Sequence, residues 1–157
     1  GQHATTQLCL RATEQLQKSG ELNVKNLLDV GTGSGILAVA AKKLGIDNVH
    51  ATDIDPDSVI SARQNAEANN VQYEVLRASV ISGPEDGWDF IYANILSVVL
   101  KKIMSDLYEN TRVEATVVMS GIIAEEEHEM VTLVERQGFN VHDTLRLDGW
   151  ICLVLKK

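Results

Sequence analysis

Asp29-Val30-Gly31-Thr32-Gly33-Ser34-Gly35, preceded by Leu27-Leu28, is the stretch whose reading decides the fold. Leu27–Val30 is short and continuously apolar apart from Asp29, the pattern of a strand covered on both faces. Three glycines at alternate positions follow, and a segment from Ile36 to Leu44, rich in Ala, Leu and Lys, then runs to a stop at Gly45. A strand that turns through glycines directly into a helix leaves backbone N–H groups free at the helix N-terminus and lets a ligand approach the main chain closely.

Outward from this turn, strand and helix patterns alternate. Residues 4–19 place Thr5, Leu8, Cys9, Ala12 and Leu16 at helical spacing, ended by Ser19-Gly20. Downstream come a strand at Asn48–Thr52, a helix at Asp57–Asn69 entered through Asp55-Pro56, and a third strand at Val71–Leu76. A loop at Gly83–Gly87 leads to a fourth strand at Asp89–Ala93, then a helix over 97–109, a strand over 113–120 and a helix over 124–137. Two final strands, near 139–146 and 150–156, are separated only by Leu147-Asp148-Gly149, so they must pair antiparallel. The alternation predicts a single α/β domain of Rossmann-like form: a mostly parallel seven-stranded sheet with one antiparallel strand and helices on both faces.

The chain has 157 residues, 45% hydrophobic and 23% charged, which suits one ordinary globular core. No apolar run approaches the ~20 residues that span a bilayer, and the opening residues do not read as a signal peptide. The formal charge of −8 repels nucleic-acid phosphate and would attract a basic partner, although acidity alone also serves solubility. Cys9 and Cys152 lack metal-ligand spacing and read as buried thiols of a reducing, cytoplasmic setting. His128 lies among Glu125, Glu126, Glu127 and Glu129 on a solvated helix face; His50 reads as structural, and His142-Asp143 has no companion nucleophile. No metal site is expected.

Three polar positions point to chemistry. The dinucleotide fingerprint wants its third glycine one place further on, where this chain has Ile36; Asp29 instead gives Asp-x-Gly-x-Gly-x-Gly. That spacing resembles the methyltransferase signature, in which the loop faces a methionine-type tail rather than a pyrophosphate. Asp53, closing the second strand, can accept both hydroxyl protons of a ribose, with Ile54 beside it for an adenine face. Asp55, directly before Pro56, fits a helix cap better. Asn94 stands at the carboxyl end of the fourth strand, where open sheets bind ligands, and its amide offers an acceptor and two donors. Taken alone it also suits a strand-end turn.

Together these residues resemble one family, the methyltransferase of large-subunit ribosomal protein eleven, PrmA. Gly1-Gln2-His3-Ala4-Thr5-Thr6-Gln7-Leu8-Cys9-Leu10 is similar to that family's Gly-x-His-Pro-Thr-Thr-x-Leu-Cys-Leu. The glycine loop with Ile36-Leu37-Ala38, then Asp53-Ile54-Asp55-Pro56, Asn94-Ile95-Leu96 and Ser120-Gly121-Ile122-Ile123, follow in similar order. The resemblance implies S-adenosylmethionine as cofactor, contacted by Thr6, Gly31, Asp53 and Asn94, with His3 and Thr5 on a segment that lids the site. It implies repeated N-methylation of lysine side chains and an α-amine on a basic ribosomal protein in the cytoplasm, with no direct contact to nucleic acid or membrane. A same-class enzyme acting on a small molecule or RNA, and a non-catalytic cofactor-binding module, are the other readings. The family's N-terminal substrate-recruiting domain has no counterpart in these residues. Three departures stand out: Ala4 for the family's proline, expected to loosen the lid; Ser79 where an acidic residue is common; and Arg112-Val113-Glu114 for Pro-Gly-Gly.

Overall fold

The computed structural model describes residues 2–157; Gly1, quoted in the N-terminal stretch above, lies outside them. Seven strands form one sheet: β1 (Asn26–Val30), β2 (Asn48–Asp53), β3 (Glu74–Arg77), β4 (Trp88–Asn94), β5 (Thr111–Ile123), β6 (Asn140–Leu147) and β7 (Trp150–Lys156). Their order across the sheet is β3-β2-β1-β4-β5-β7-β6. All pairings among the first five are parallel, and β7 runs antiparallel to both neighbours, as the short 147–149 connection requires. Five helices cover the sheet: α1 (Gln2–Lys18), α2 (Ile36–Lys43), α3 (Pro56–Ala68), α4 (Ser97–Glu109) and α5 (Glu127–Gln137).

Period-two alternation along the strands sorts the core into two layers. Leu27, Phe90, Tyr92, Val118, Cys152 and Val154 pack with residues of α1, α2 and α3. Leu28, Ile91, Ala93, Val117, Met119 and Leu153 pack with residues of α4 and α5 on the opposite face. Asp29 and Asn94 continue the first series, so both point to the α1–α3 side of the sheet, and that side carries the polar groups of the site. In α1, the five positions at helical spacing are all buried. Cys9 and Cys152, distant in sequence, meet in this layer, and the hydrogen bond between the two thiols, then burial, push the Cys9 thiol well above its ordinary range.

Several boundaries differ from the sequence reading. α1 begins at Gln2, so Ala4 lies in its first turn, where a proline is also tolerated. The third strand is Glu74–Arg77 rather than 71–76: the Val71 N–H donates to the Ala66 carbonyl and the Tyr73 hydroxyl to that of Ala62, so this segment closes α3 instead of joining the sheet. β5 extends to both sides of 113–120, and Ala124–Glu126 forms a 3-10 turn before α5. Glu114 takes the left-handed conformation (φ 70°), a strain of about 1 kcal/mol for a residue with a side chain.

Arg112, the first residue of the Arg112-Val113-Glu114 stretch, has a structural role. Its guanidinium lies 3.0 Å from Oδ1 of the buried Asp89, whose Oδ2 accepts the Lys25 and Asn26 N–H groups at 3.0 and 2.9 Å. Asp89 thereby staples the entry of β1 to β4. Asp89→Ala would leave two backbone donors unpaired and is expected to cost about 3 kcal/mol. For a chain of this length that is a fall in Tm of roughly 6–12 °C. A Tm within 2 °C of the parent in a thermal melt would remove that role.

Candidate active site

The polar candidates gather at the carboxyl ends of β2, β1 and β4, three adjacent strands. Between β1 and β4 the strand order reverses, the position at which open α/β sheets bind their ligands. β1 ends at Val30 and the chain turns through Gly31, Gly33 and Gly35, all left-handed (φ 68°, 58° and 86°), into α2. At Gly31 a side chain would strike Ile95, and at Gly35 it would strike Tyr73 and Ala62. Around Gly33 the space is open, so the middle of the loop presents bare main chain.

Three side chains hold this loop from below and from the sides. The Thr32 hydroxyl donates to Asp29 Oδ2 at 2.7 Å, the Gly33 N–H donates to Asp53 Oδ2 at 2.9 Å, and the Asn65 amide donates to the Ser34 carbonyl at 2.6 Å. Asp29 is buried beneath the loop rather than exposed on it. Asp53 stands at the strand end, its second oxygen accepting the Asp55 N–H at 2.9 Å, while Ile54 is 69% exposed beside it. Asp55 caps α3 through the Asp57 N–H, as its place before Pro56 predicts.

At the end of β4, the Asn94 amide N–H donates to the Thr6 hydroxyl at 3.4 Å, a long contact that joins α1 to the strand end. Thr5, the adjacent residue, is buried against the core, and His3 is exposed on the first turn. The Ile95 N–H donates to the Ser120 carbonyl, and Gly121 (φ 88°) packs so closely on the Ile95 main chain that a Cβ would overlap its carbonyl. Ser97, at the start of α4, donates to Glu126 at 2.8 Å and fixes the far side of the 94–97 turn.

Asn65 and the Ser97–Glu126 pair carry no role in the sequence reading, and Thr32 and Gly121 enter it only as members of quoted motifs. Gly121 carried a signal, since a glycine inside an apolar strand marks a bulge or close backbone approach, and β5 shifts register against β7 there. Asn65 carried none: it is one polar residue among several on α3. Ser79 contributes its carbonyl, which accepts the buried Thr52 hydroxyl at 2.7 Å. His50 meets Trp88 with its ring tilted by 58° and the centroids 5.2 Å apart, and His142 lies 3.1 Å from Glu21, both away from this edge. Among the described residues no cluster of three metal-ligating side chains occurs, and no helix is long and apolar enough to cross a membrane.

Burial pushes the Asp29 carboxyl up to about 7, against the pull of hydrogen bonds from Thr32 and the Ala38 N–H; the charge of Asp53 raises it further. The folded state therefore holds a proton that an ordinary carboxyl, titrating near 4, has lost. Stability from this group is full below pH 4 and declines as pH rises toward and through 7. Urea unfolding at pH 5 and pH 8 should show Asp29→Asn lacking a loss of about 2–3 kcal/mol that the parent suffers over that interval. Parallel pH profiles for the two proteins would contradict this.

A left-handed glycine loop with open main chain at Gly33, a carboxylate one strand away with an exposed apolar neighbour, and an amide at the next strand end fit S-adenosylmethionine in chemistry. With the sheet order and the reversed β7, they define a Rossmann-like methyltransferase domain of class I. The family model for ribosomal protein L11 methyltransferase (PrmA) matches residues 1–157, and the chain belongs to that family. Curated relatives named ribosomal protein L11 methyltransferase include those of Exiguobacterium, 37% identical, and Bacillus subtilis, 36% identical, each over 159 residues that cover all of this chain. The chain spans about half the length of those relatives (50%). The crystal structure of ribosomal protein L11 methylase from Lactobacillus delbrueckii superposes with a TM-score of 0.88 at 31% identity, covering 98% of this chain and 78% of that one. A methyltransferase from Aquifex aeolicus, described as SAM dependent, shares the fold (TM-score 0.73, 22% identity, 92% and 88% covered).

Proposed function

We propose that this domain transfers methyl groups from S-adenosylmethionine to amino groups of ribosomal protein L11, both lysine side chains and the N-terminal α-amine, in the cytoplasm. The observation that carries the reading is the Asn94 amide, tied to Thr6 at the end of β4, one strand from the glycine loop and two from Asp53. The bound cofactor supplies an electrophilic methyl group on a sulfonium. The Gly31, Gly33 and Gly35 loop receives its amino-acid tail, with the main chain barest at Gly33 and Asp29 holding the loop through Thr32. Asp53 accepts the ribose hydroxyls, Ile54 offers an apolar face to adenine, and Thr6 closes over the cofactor from α1. Asn94 both contacts the cofactor and acts in catalysis.

The acceptor must be a neutral amine. A lysine has a pKa near 10.4, so leaving bulk water for a partly closed crevice helps it shed its proton. The Asn94 carbonyl oxygen then accepts an amine N–H and turns the nitrogen lone pair toward the methyl carbon; such alignment is a large part of what an enzyme contributes to a displacement. His3 and Thr5, on the first turn of α1, belong to the segment that covers the reacting groups. The net charge of −8 suits a basic protein substrate and disfavours nucleic acid. The half of the relatives that this chain does not span is the proposed place of substrate recruitment.

Incubating the natural full-length protein with methyl-labelled cofactor and purified ribosomal protein L11 should label L11. Label appearing only in RNA or in a small metabolite would overturn the substrate. Tight binding of S-adenosylhomocysteine without transfer to any amine would overturn the activity.

A further inference from the structure

We infer that Asp53 is also a positioning residue for the glycine loop, so that recognition of the ribose and of the amino-acid tail is coupled through one carboxylate. The inference rests on the assignment of Asp53 to the ribose made above. Three left-handed glycines in five residues give the loop little intrinsic preference for one shape. Main-chain bonds hold its two ends, Thr32 N–H to the Thr52 carbonyl and Gly35 N–H to the Thr32 carbonyl, both at 2.9 Å, and three side chains hold the rest: Asp29 on Thr32, Asn65 on Ser34 and Asp53 on Gly33. Asp29 is buried beneath the loop, and Asn65 grips it from α3. Asp53 alone holds the loop with a group that also faces the ligand.

The arithmetic of acceptors allows both tasks. Each carboxylate oxygen has two lone pairs. Oδ2 takes the Gly33 N–H and Oδ1 the Asp55 N–H, both at 2.9 Å, which leaves one lone pair on each oxygen for a ribose hydroxyl. The two backbone donors also fix the plane of the carboxylate before any ligand arrives. The bond to Gly33 is charge-assisted, hence roughly twice as strong as a neutral one, and it lands on the residue with open space around it. Without it, Gly33 regains its freedom and the tail loses its preformed main-chain surface.

A ligand without ribose hydroxyls separates the two roles. Affinities of S-adenosylhomocysteine and its 2′,3′-dideoxy analogue are measured by calorimetry for the parent, Asp53→Ala and Asp53→Asn. Hydrogen exchange of the Gly33 amide is followed by NMR in each ligand-free protein. Asp53→Ala should bind even the dideoxy analogue about 10-fold more weakly than the parent, as the loss of a hydrogen bond to a charged group predicts. Its Gly33 amide should exchange at least 10-fold faster. Asp53→Asn, which keeps a neutral acceptor, should recover most of both effects while staying impaired toward S-adenosylhomocysteine. Unchanged Gly33 exchange in Asp53→Ala overturns the proposal whatever the analogue does, and so does equal affinity of parent and Asp53→Ala for the analogue. A preference for S-adenosylhomocysteine over its dideoxy analogue that is the same in the parent and in Asp53→Ala would instead sink the ribose assignment and leave the loop role standing.

Discussion

Asn94→Ala is expected to lower kcat for amine methylation by about 10²–10³-fold, the range found when a single preorganised hydrogen-bonding group is removed from a reacting centre. Tm should change little, because Asn94 is only partly buried and its hydrogen bond to Thr6, at 3.4 Å, is a long contact. The affinity for S-adenosylhomocysteine should weaken modestly, by severalfold, because the loop and Asp53 supply most of the contacts. Thr6 takes the amide N–H, which leaves Oδ1 as the group available to the incoming amine. Asn94→Asp separates orientation from charge. It keeps an acceptor oxygen but replaces the N–H that Thr6 receives, so it should retain more activity than Ala and less than the parent. A kcat within threefold of the parent for Asn94→Ala would remove this residue from catalysis.

Gly121→Ala should be nearly as damaging, although Gly121 touches neither reactant. Its φ of 88° is unfavourable for any L side chain, and the added methyl would overlap the Ile95 carbonyl, which is main chain and cannot rotate away. Strain and overlap together are expected to cost about 2–4 kcal/mol, readable as a lower urea midpoint. To relieve the overlap the Asn94–Leu96 turn must lift from β5, breaking the Ile95 N–H to Ser120 bond, and Asn94 moves with it. An ångström of displacement at a reacting group is worth up to about 10²-fold in rate. The variant should therefore lose kcat by a larger factor than affinity for S-adenosylhomocysteine, since Ile95 meets the glycine loop at Gly31 but Gly33 and Asp53 lie clear of the displaced turn. Parent-like kcat and stability would show that Gly121 is not what seats the Asn94 turn.

What was legible in the sequence, and what was not, follows from the range of the forces involved. Helical spacing in α1, the continuous apolar β1 and the short 147–149 link are local patterns, and each led to the right element. The reversed β7 followed from chain geometry alone, because a three-residue link cannot make a parallel crossover. Asp55 as the cap of α3 was likewise set by its neighbour Pro56. The third strand was misplaced because Val71 and Tyr73 have strand-like side chains, yet their hydrogen bonds go back to α3. Nothing local announces that.

The site divides along the same line. Glycines in a strand–helix turn and polar residues at strand ends can be read one at a time. Which of them touch depends on the register of three strands and the seat of a helix. The bond from Gly33 to Asp53 spans 20 residues and that from Asn94 to Thr6 spans 88. Asp29 shows the difference most plainly: its place in the motif was evident, but its burial below Thr32, with the raised proton affinity that follows, belongs to the packed structure. Asn65 shows the limit, since its grip on Ser34 exists only once α3 has docked.

Co-crystallisation with S-adenosylhomocysteine is the direct test of the central claim. The account predicts density in the crevice between β1 and β4, the amino-acid tail over Gly31–Gly35, the ribose hydroxyls within 3.2 Å of the Asp53 carboxylate by ordinary hydrogen-bond geometry, and the sulfur facing Asn94. Ligand density anywhere else, with that crevice filled only by water, would contradict it.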